Sequence, residues 1–397
     1  MATTRQTINR FNKYVIGNYT RIPCVIVRGL GSEVWDADGK RYLDFFPGWA
    51  VSGVGHCHPK VVRAIQEQAS RLLHIANNFY SQPQGDLARL VSKHSFGGKC
   101  FFCNSGAEAN EGAIKLARLA TSPKKYKFIT FENSFHGRTL ATIAATAQPK
   151  YQKGFEPMPE GFVYAPFNDL DAVKKLVDDE TCAIMVEPVQ GEGGINVGTP
   201  EFLQGLRDLC DKKKMILIFD EVQTGMGRLG DYFACKHYRI DPDIMTLAKS
   251  LGGGAAIGGL VARDAVAEKL VPGTHASTFG GNPLAAAAAI GVFEAIREDK
   301  LIANARKMGR ILRKRLDGLC KKYPSLVKEV RGIGVMLGME LAFSGAGLVK
   351  RCMEKGLLVN CTHDTVLRVM PAITVNERQI DEAVAILDEA LGEEDAS

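Results

Sequence analysis

The middle of the chain alternates short apolar runs with stretches of helical period, which confines it to an α/β fold with a largely parallel sheet. The runs expected as strands are Lys99–Cys103, Lys127–Phe131, Ala183–Val186, Met215–Phe219 and Ile244–Ala248. Between and around them, helical patterns cover Pro59–Leu73, Glu108–Ala120, Pro200–Lys213 and the Ala-rich Pro283–Ile296. Near residue 300 the texture changes to a long charged helix, Leu301–Lys322, followed by short strands and helices. A length of 397 residues is long for one core. The division expected is a small β-meander in residues 1–50 packed on a small domain, a large α/β domain at 51–299, and a smaller α+β domain at 300–397. In the first segment Tyr14, Val15 and Ile16 are expected to pack against other parts of the fold. The acidic end GEEDAS is expected to fray.

Composition narrows the function classes. No apolar run is long enough to span a bilayer, and the first residues lack an apolar signal core with a small-residue cleavage site. A cytoplasmic protein is therefore expected. The formal charge of +6 is modest for this size, and no Lys/Arg cluster is interleaved with aromatics, which argues against a nucleic-acid partner. Ten irregularly spaced cysteines do not form a disulfide framework. Cys100 and Cys103 bracket two phenylalanines in an apolar strand and read as core; His56-Cys57-His58 lacks a second half with metal-ligand spacing, so no metal is expected.

The chemistry-bearing residues cluster at strand ends. Asp220 ends the apolar run Met215–Phe219, where a parallel sheet opens onto its ligand crevice. A carboxylate there needs a cation, and a protonated ring nitrogen of a bound heterocycle is one; a plainer reading makes Asp220 a helix cap. Lys249 ends the next run and precedes three glycines, where backbone can approach a ligand closely. Asn104-Ser105-Gly106-Ala107 joins a strand to a helix, and first-turn N–H groups there suit a phosphate, or simply an ordinary capped helix. In Phe135-His-Gly-Arg138, an aromatic ring is available to stack on a heterocycle and a guanidinium to bind a carboxylate. Glu192 lies in a glycine-rich turn after another strand, and Ser277-Thr278 offers hydroxyls to a phosphate. One spacing points elsewhere: Gly225-Met-Gly227-Arg-Leu-Gly230 is formally GxGxxG. It stands five residues beyond its strand and opens no helix, contrary to a dinucleotide fingerprint.

Taken in order, RYLDF, GHCHP, NSGAEAN, FHGRT, EPVQGEGG, FDEVQTGMGR, AKSLGGG and STFGGNP resemble the class III pyridoxal-phosphate aminotransferases, of the fold shared with aspartate aminotransferase. The resemblance runs nearly end to end and implies a large, mostly parallel sheet of the seven-stranded type beside a small domain. It implies that Lys249 carries pyridoxal 5'-phosphate as a Schiff base and that Asp220 pairs with the ring nitrogen. Gln223 is implied near the ring hydroxyl, Val222 behind the ring and Phe135 on its face. Ser105, Gly106 and Ala107 are implied to hold the phosphate, with Thr278 given by the second subunit of a homodimer.

Within the family, HIANNFYSQPQ and GLLVNCTHDTVLRVMPAIT point to the subgroup acting on acetylornithine, ornithine and succinylornithine. The implied reaction moves the ω-amino group of N-acetylornithine to 2-oxoglutarate, giving a semialdehyde and glutamate in arginine biosynthesis. Arg138 would clamp the α-carboxylate, and Glu192 would pair with Arg368 and release it for a dicarboxylate. Ser277 and Asn78 are further substrate candidates. FPGWAV departs from the family by placing a bulky Trp49 where relatives carry smaller residues. Ornithine, 4-aminobutyrate, succinylornithine or a carrier-bound lysine would need the same cofactor residues. An aminomutase would share Lys249, whereas a silent binding protein would lack Lys249 or Asp220, and both are present.

Overall fold

The computed structural model describes residues 3–395. Among them, seven strands form one sheet in the order 99–103, 258–262, 244–247, 216–220, 181–186, 127–131, 162–165. Strand Gly258–Ala262 runs antiparallel to both neighbours, and the remaining pairings are parallel. Strands Thr181–Val186, Ile216–Asp220 and Ile244–Leu247 are buried along their whole length, as a sheet covered on both faces requires.

Two strands escape the apolar-run reading. Phe162–Ala165 is a short edge strand, and Gly258–Ala262 begins with two glycines, residues that strands usually avoid. The glycines are sterically required. A Cβ on Gly258 would overlap the Ser105 carbonyl, and one on Gly259 would lie 2.8 Å from Phe101 O. The strand thus passes directly behind the turn that opens helix Gly106–Ala120.

Helices start where capping chemistry allows. Thr199 and Asn282 cap helices Pro200–Lys213 and Pro283–Glu298, each with proline in the first turn. The Ala-rich helix is buried nearly all round and crosses helix Pro59–Ala69 so closely that a Cβ on Gly291 would meet Lys60 O at 3.0 Å.

Smaller sheets flank this layer. The meander Ile26–Leu30, Glu33–Asp36, Arg41–Asp44 is extended by Leu357–Leu358, which pairs in parallel with the last of these strands. Arg41 also bridges to Glu382 of the final helix at 2.8 Å. A second sheet holds Val327–Ile333, Met336–Leu341, Val366–Val369 and Asn360–Thr362, in that order.

Two local expectations fail. Tyr14, Val15 and Ile16, which follow or end helix Thr4–Tyr14, are exposed at 74%, 43% and 81% among the described residues. The acidic end does not fray over its described part. Helix Glu377–Asp395 continues through it because Lys355 and Arg351 pair with Glu393 and Glu394. Among the described residues every cysteine is a free thiol, no cluster of metal-ligating side chains occurs, and no helix is long and apolar enough to cross a membrane.

Candidate active site

The carboxyl ends of strands 99–103, 216–220 and 244–247 open onto a cavity of about 470 Å³. Lys249 reaches it from a single tight helical turn just beyond strand Ile244–Leu247. Its φ of +46° is a left-handed conformation that a lysine adopts at a cost, the kind of strain that packing holds at working sites. Among the described residues its amine has no hydrogen bond or ion pair. Burial lowers the Lys249 pKa, against the opposing pull of Glu192, Asp220 and Glu187. Burial thus shifts the amine toward the neutral form, the one that can act as nucleophile or base.

Asp220 lies across the cavity and is 3% exposed. It does not cap a helix. Its Oδ2 accepts from Asn110 Nδ2 and from His136 Nδ1, each at 2.8 Å, and its Oδ1 from the Val222 N–H at 3.1 Å. The neighbouring Glu221 is the capping carboxylate, accepting the Ala234 and Cys235 N–H groups of helix Ala234–Tyr238. Asp220 is therefore held at the cavity by Asn110, His136 and a backbone N–H, and among the described residues it pairs with no lysine or arginine, leaving room for a cationic ring atom.

Ser105 caps helix Gly106–Ala120 through the Glu108 N–H, leaving the first-turn N–H groups of Gly106 and Ala107 at the cavity wall without intrahelical partners. A Cβ on Gly106 would press to 2.9 Å of Val222, so the glycine lets the turn and the Val222 side chain share one wall. Gln223 Oε1 is buried without a partner beside Gly191, where any side chain would overlap it. A lysine amine, an anion turn, an oriented carboxylate and an orphaned amide oxygen form a donor set that suits a planar, phosphate-bearing pyridine.

At the cavity edge the Phe135 ring is half-buried and its N–H donates to Glu187 Oε2 at 3.0 Å. Burial raises the Glu187 pKa to about 8. Arg138 is exposed, has no carboxylate partner among the described residues, and lies 4.2 Å from the Tyr151 ring centre. Arg368 and Glu192 pair at 2.6 Å, and Asn360 Oδ1 accepts from Arg368 Nε at 2.9 Å while the Phe46 ring lies 4.5 Å from its guanidinium. Although burial works to raise it, the Glu192 pKa is brought below the usual value by Arg368.

Other expected residues stand apart within the chain. Ser277 Oγ is tied to Asn104 and to the Gly280 N–H, whereas Thr278 is exposed; neither lines the cavity. Asn78 is exposed and outside it as well. Trp49 is also outside: it packs edge-on to Phe46 at 5.7 Å, and Val51 is the lining residue of that segment. Sequence reading missed Asn110, Glu187, Asn360 and Phe46 and gave His136 no role. Asn110 and His136 stand inside quoted motifs, but their function is to orient Asp220, which only the folded contacts reveal.

Comparison with known proteins agrees with this geometry. A family model described as "Aminotransferase class-III" matches residues 14–391. The acetylornithine aminotransferase of Methanocaldococcus jannaschii is 52% identical over 96% of this chain and 96% of its own. That of Caldanaerobacter subterraneus is 51% identical over 96% of this chain and 98% of its own. Among solved structures, ornithine aminotransferase from Toxoplasma gondii superposes with a TM-score of 0.96 at 33% identity, covering 100% of this chain and 97% of that one. Acetylornithine aminotransferase from Elizabethkingia anophelis gives 0.88 at 32%, covering 99% and 100%. The match over nearly the whole length, joined to a lysine and an aspartate facing one another across a phosphate-suited turn, establishes that the chain belongs to the class III aminotransferases, which work with pyridoxal phosphate.

Proposed function

We propose that this protein transfers the ω-amino group of N-acetylornithine to 2-oxoglutarate, yielding N-acetylglutamate semialdehyde and glutamate in arginine biosynthesis. The observation that carries the choice of reaction is the Glu192–Arg368 pair, of which Glu192 lines the cavity and Arg368 is buried against it, because a transaminase must accept two unlike substrates at one site. With the pair closed, Arg368 is neutralised and a donor with an uncharged or cationic end fits. With Glu192 turned away, Arg368 is free for the second carboxylate of 2-oxoglutarate or glutamate. The choice of acetylornithine draws on the names of the relatives at 51–52% identity.

Pyridoxal phosphate, when bound, supplies an electron sink for the carbon that loses its proton. Lys249 would anchor it and, in its neutral form, would serve as the base that accepts and returns the substrate proton. Asp220 would hold the ring nitrogen, Gln223 the ring hydroxyl, Val222 and Phe135 the ring itself, and the Ser105–Ala107 turn the phosphate. Arg138 takes the α-carboxylate. Thr278 completes the phosphate site of the other subunit in a cytoplasmic homodimer, and Ser277 lies close enough to that loop to contact substrate there. We assign residues 51–299 to the cofactor domain, 300–397 to the small domain and 1–50 to the segment on it.

The test is kcat/KM for acetylornithine, ornithine and 4-aminobutyrate with 2-oxoglutarate on one preparation. Preference for acetylornithine is expected. Preference for 4-aminobutyrate or ornithine would move the assignment within the family.

A further inference from the structure

Arg228 is among the largest fully buried side chains of the protein, at 1% exposure, yet it has no acidic partner among the described residues. It lies in the buried turn Gly225–Gly230, a few residues beyond Asp220. Its Nη1 donates to the carbonyls of Met370, at 3.4 Å, and Pro371, while Nε and Nη2 have no partner. Burial lowers its pKa to about 10, so it remains a cation at neutral pH. A buried guanidinium without a counter-charge is costly, and an apolar side chain of similar shape would remove that cost. What the arginine does in exchange is hold two carbonyls.

Those carbonyls follow Arg368 by two and three residues, at the end of strand Val366–Val369. The same stretch is held from a second side, since the Met370 N–H donates to Phe45 O at 2.7 Å and the next residue, Phe46, packs on the Arg368 guanidinium. Arg228 also meets the turn between strands Val327–Ile333 and Met336–Leu341 of that sheet. Its carbonyl accepts the Val335 N–H at 3.1 Å, and a Cβ on Gly334 would come within 2.5 Å of that carbonyl oxygen. The turn after Asp220 and the strand bearing Arg368 are thereby locked together.

Such a lock matters to a switch with one moving half. Glu192 sits in a turn flanked by Gly191, Gly193 and Gly194, whereas Arg368 sits on a paired strand. When Glu192 turns away, Arg368 must not follow it. We propose that Arg228 is a positioning residue for the dicarboxylate half of the reaction, clamping the strand end so that Arg368 stays presented to the cavity. This rests on reading Arg368 as the dicarboxylate acceptor.

Glutarate, a dicarboxylate with no keto group to react, separates the two ideas when its Kd is measured calorimetrically on the holoenzyme. Arg228→Met is expected to bind it about tenfold more weakly, the scale of a lost charged hydrogen bond, with no fall in Tm and little change in the donor's KM. Arg228→Lys should recover part of the affinity because an ammonium can still donate to one carbonyl. Unchanged glutarate affinity in Arg228→Met overturns the proposal, as does an equal loss of glutarate and donor binding with a lowered Tm. If the methionine variant gives no folded holoenzyme, Arg228→Lys decides on the same two outcomes. Arg368→Lys is measured alongside: if its glutarate affinity is unchanged, the reading of Arg368 itself fails.

Discussion

At the scale of single residues, the site sets a buried lysine, Lys249, and a hydrogen-bonded carboxylate, Asp220, on one cavity. Burial depresses the lysine, whereas Asn110, His136 and the Val222 N–H supply the carboxylate with three donors. Lys249→Ala should abolish turnover and the covalent attachment of cofactor together, the latter read by mass after borohydride reduction; turnover at the normal rate would mean that another group is both anchor and base. The Glu192–Arg368 pair carries its own pH signature. Glu192 titrates below its ordinary value, so the pair stabilises the fold above about pH 4.3, and that contribution fades as pH falls through the lower folded value. The urea midpoint of wild type should therefore fall more steeply in acid than that of Glu192→Gln. Parallel curves would show that the pair contributes no net stability.

Among secondary-structure elements, the decisive contact is strand Gly258–Ala262 against the turn that opens helix Gly106–Ala120. The antiparallel strand leaves no room for side chains behind Ser105, and this fixes where the first-turn N–H groups point. Gly258→Ala should cost about 1–3 kcal/mol in urea unfolding and weaken pyridoxal phosphate binding in step, because relief of the overlap must displace the turn. Loss of stability with full cofactor affinity would show that the strand yields instead. The five short runs were legible as strands because each is mostly apolar over four or five residues and lies between helical patterns. Gly258–Ala262 was not, since its glycines answer to a neighbour far away in sequence.

For the molecule as a whole, large apolar side chains lie open on one chain: Ile16 at 81%, Leu73 at 56%, Tyr80 at 107% and Phe279 at 59%. Exposed apolar side chains of this size suit a partner surface, and in the proposed homodimer a second copy would bring Thr278, next to Phe279, to a cavity that it does not line in its own chain. Complementation tests this. Lys249→Ala and Thr278→Ala chains, each impaired alone, should regain activity when unfolded together and refolded as mixed dimers, because one site then has both residues intact. Activity no higher than the sum of the separate variants would place Thr278 in the site of its own chain.

The sequence by itself determined the alternation of the large sheet, the strand-end positions of Asp220 and Lys249, the small-residue turn that opens a helix at Ser105–Ala107 and, through ordered motifs, the family. These are local properties: periodicity, caps and small residues at junctions leave their mark within a few positions of where they act. Only the tertiary structure decided which donors hold Asp220, that Glu221 rather than Asp220 caps a helix, that Arg368 is gripped by Asn360 and Phe46, and that Arg228 is buried without a counter-charge. Each of those joins residues tens to hundreds of positions apart. Burial, which sets their charge states and costs, exists only once the chain has closed around them.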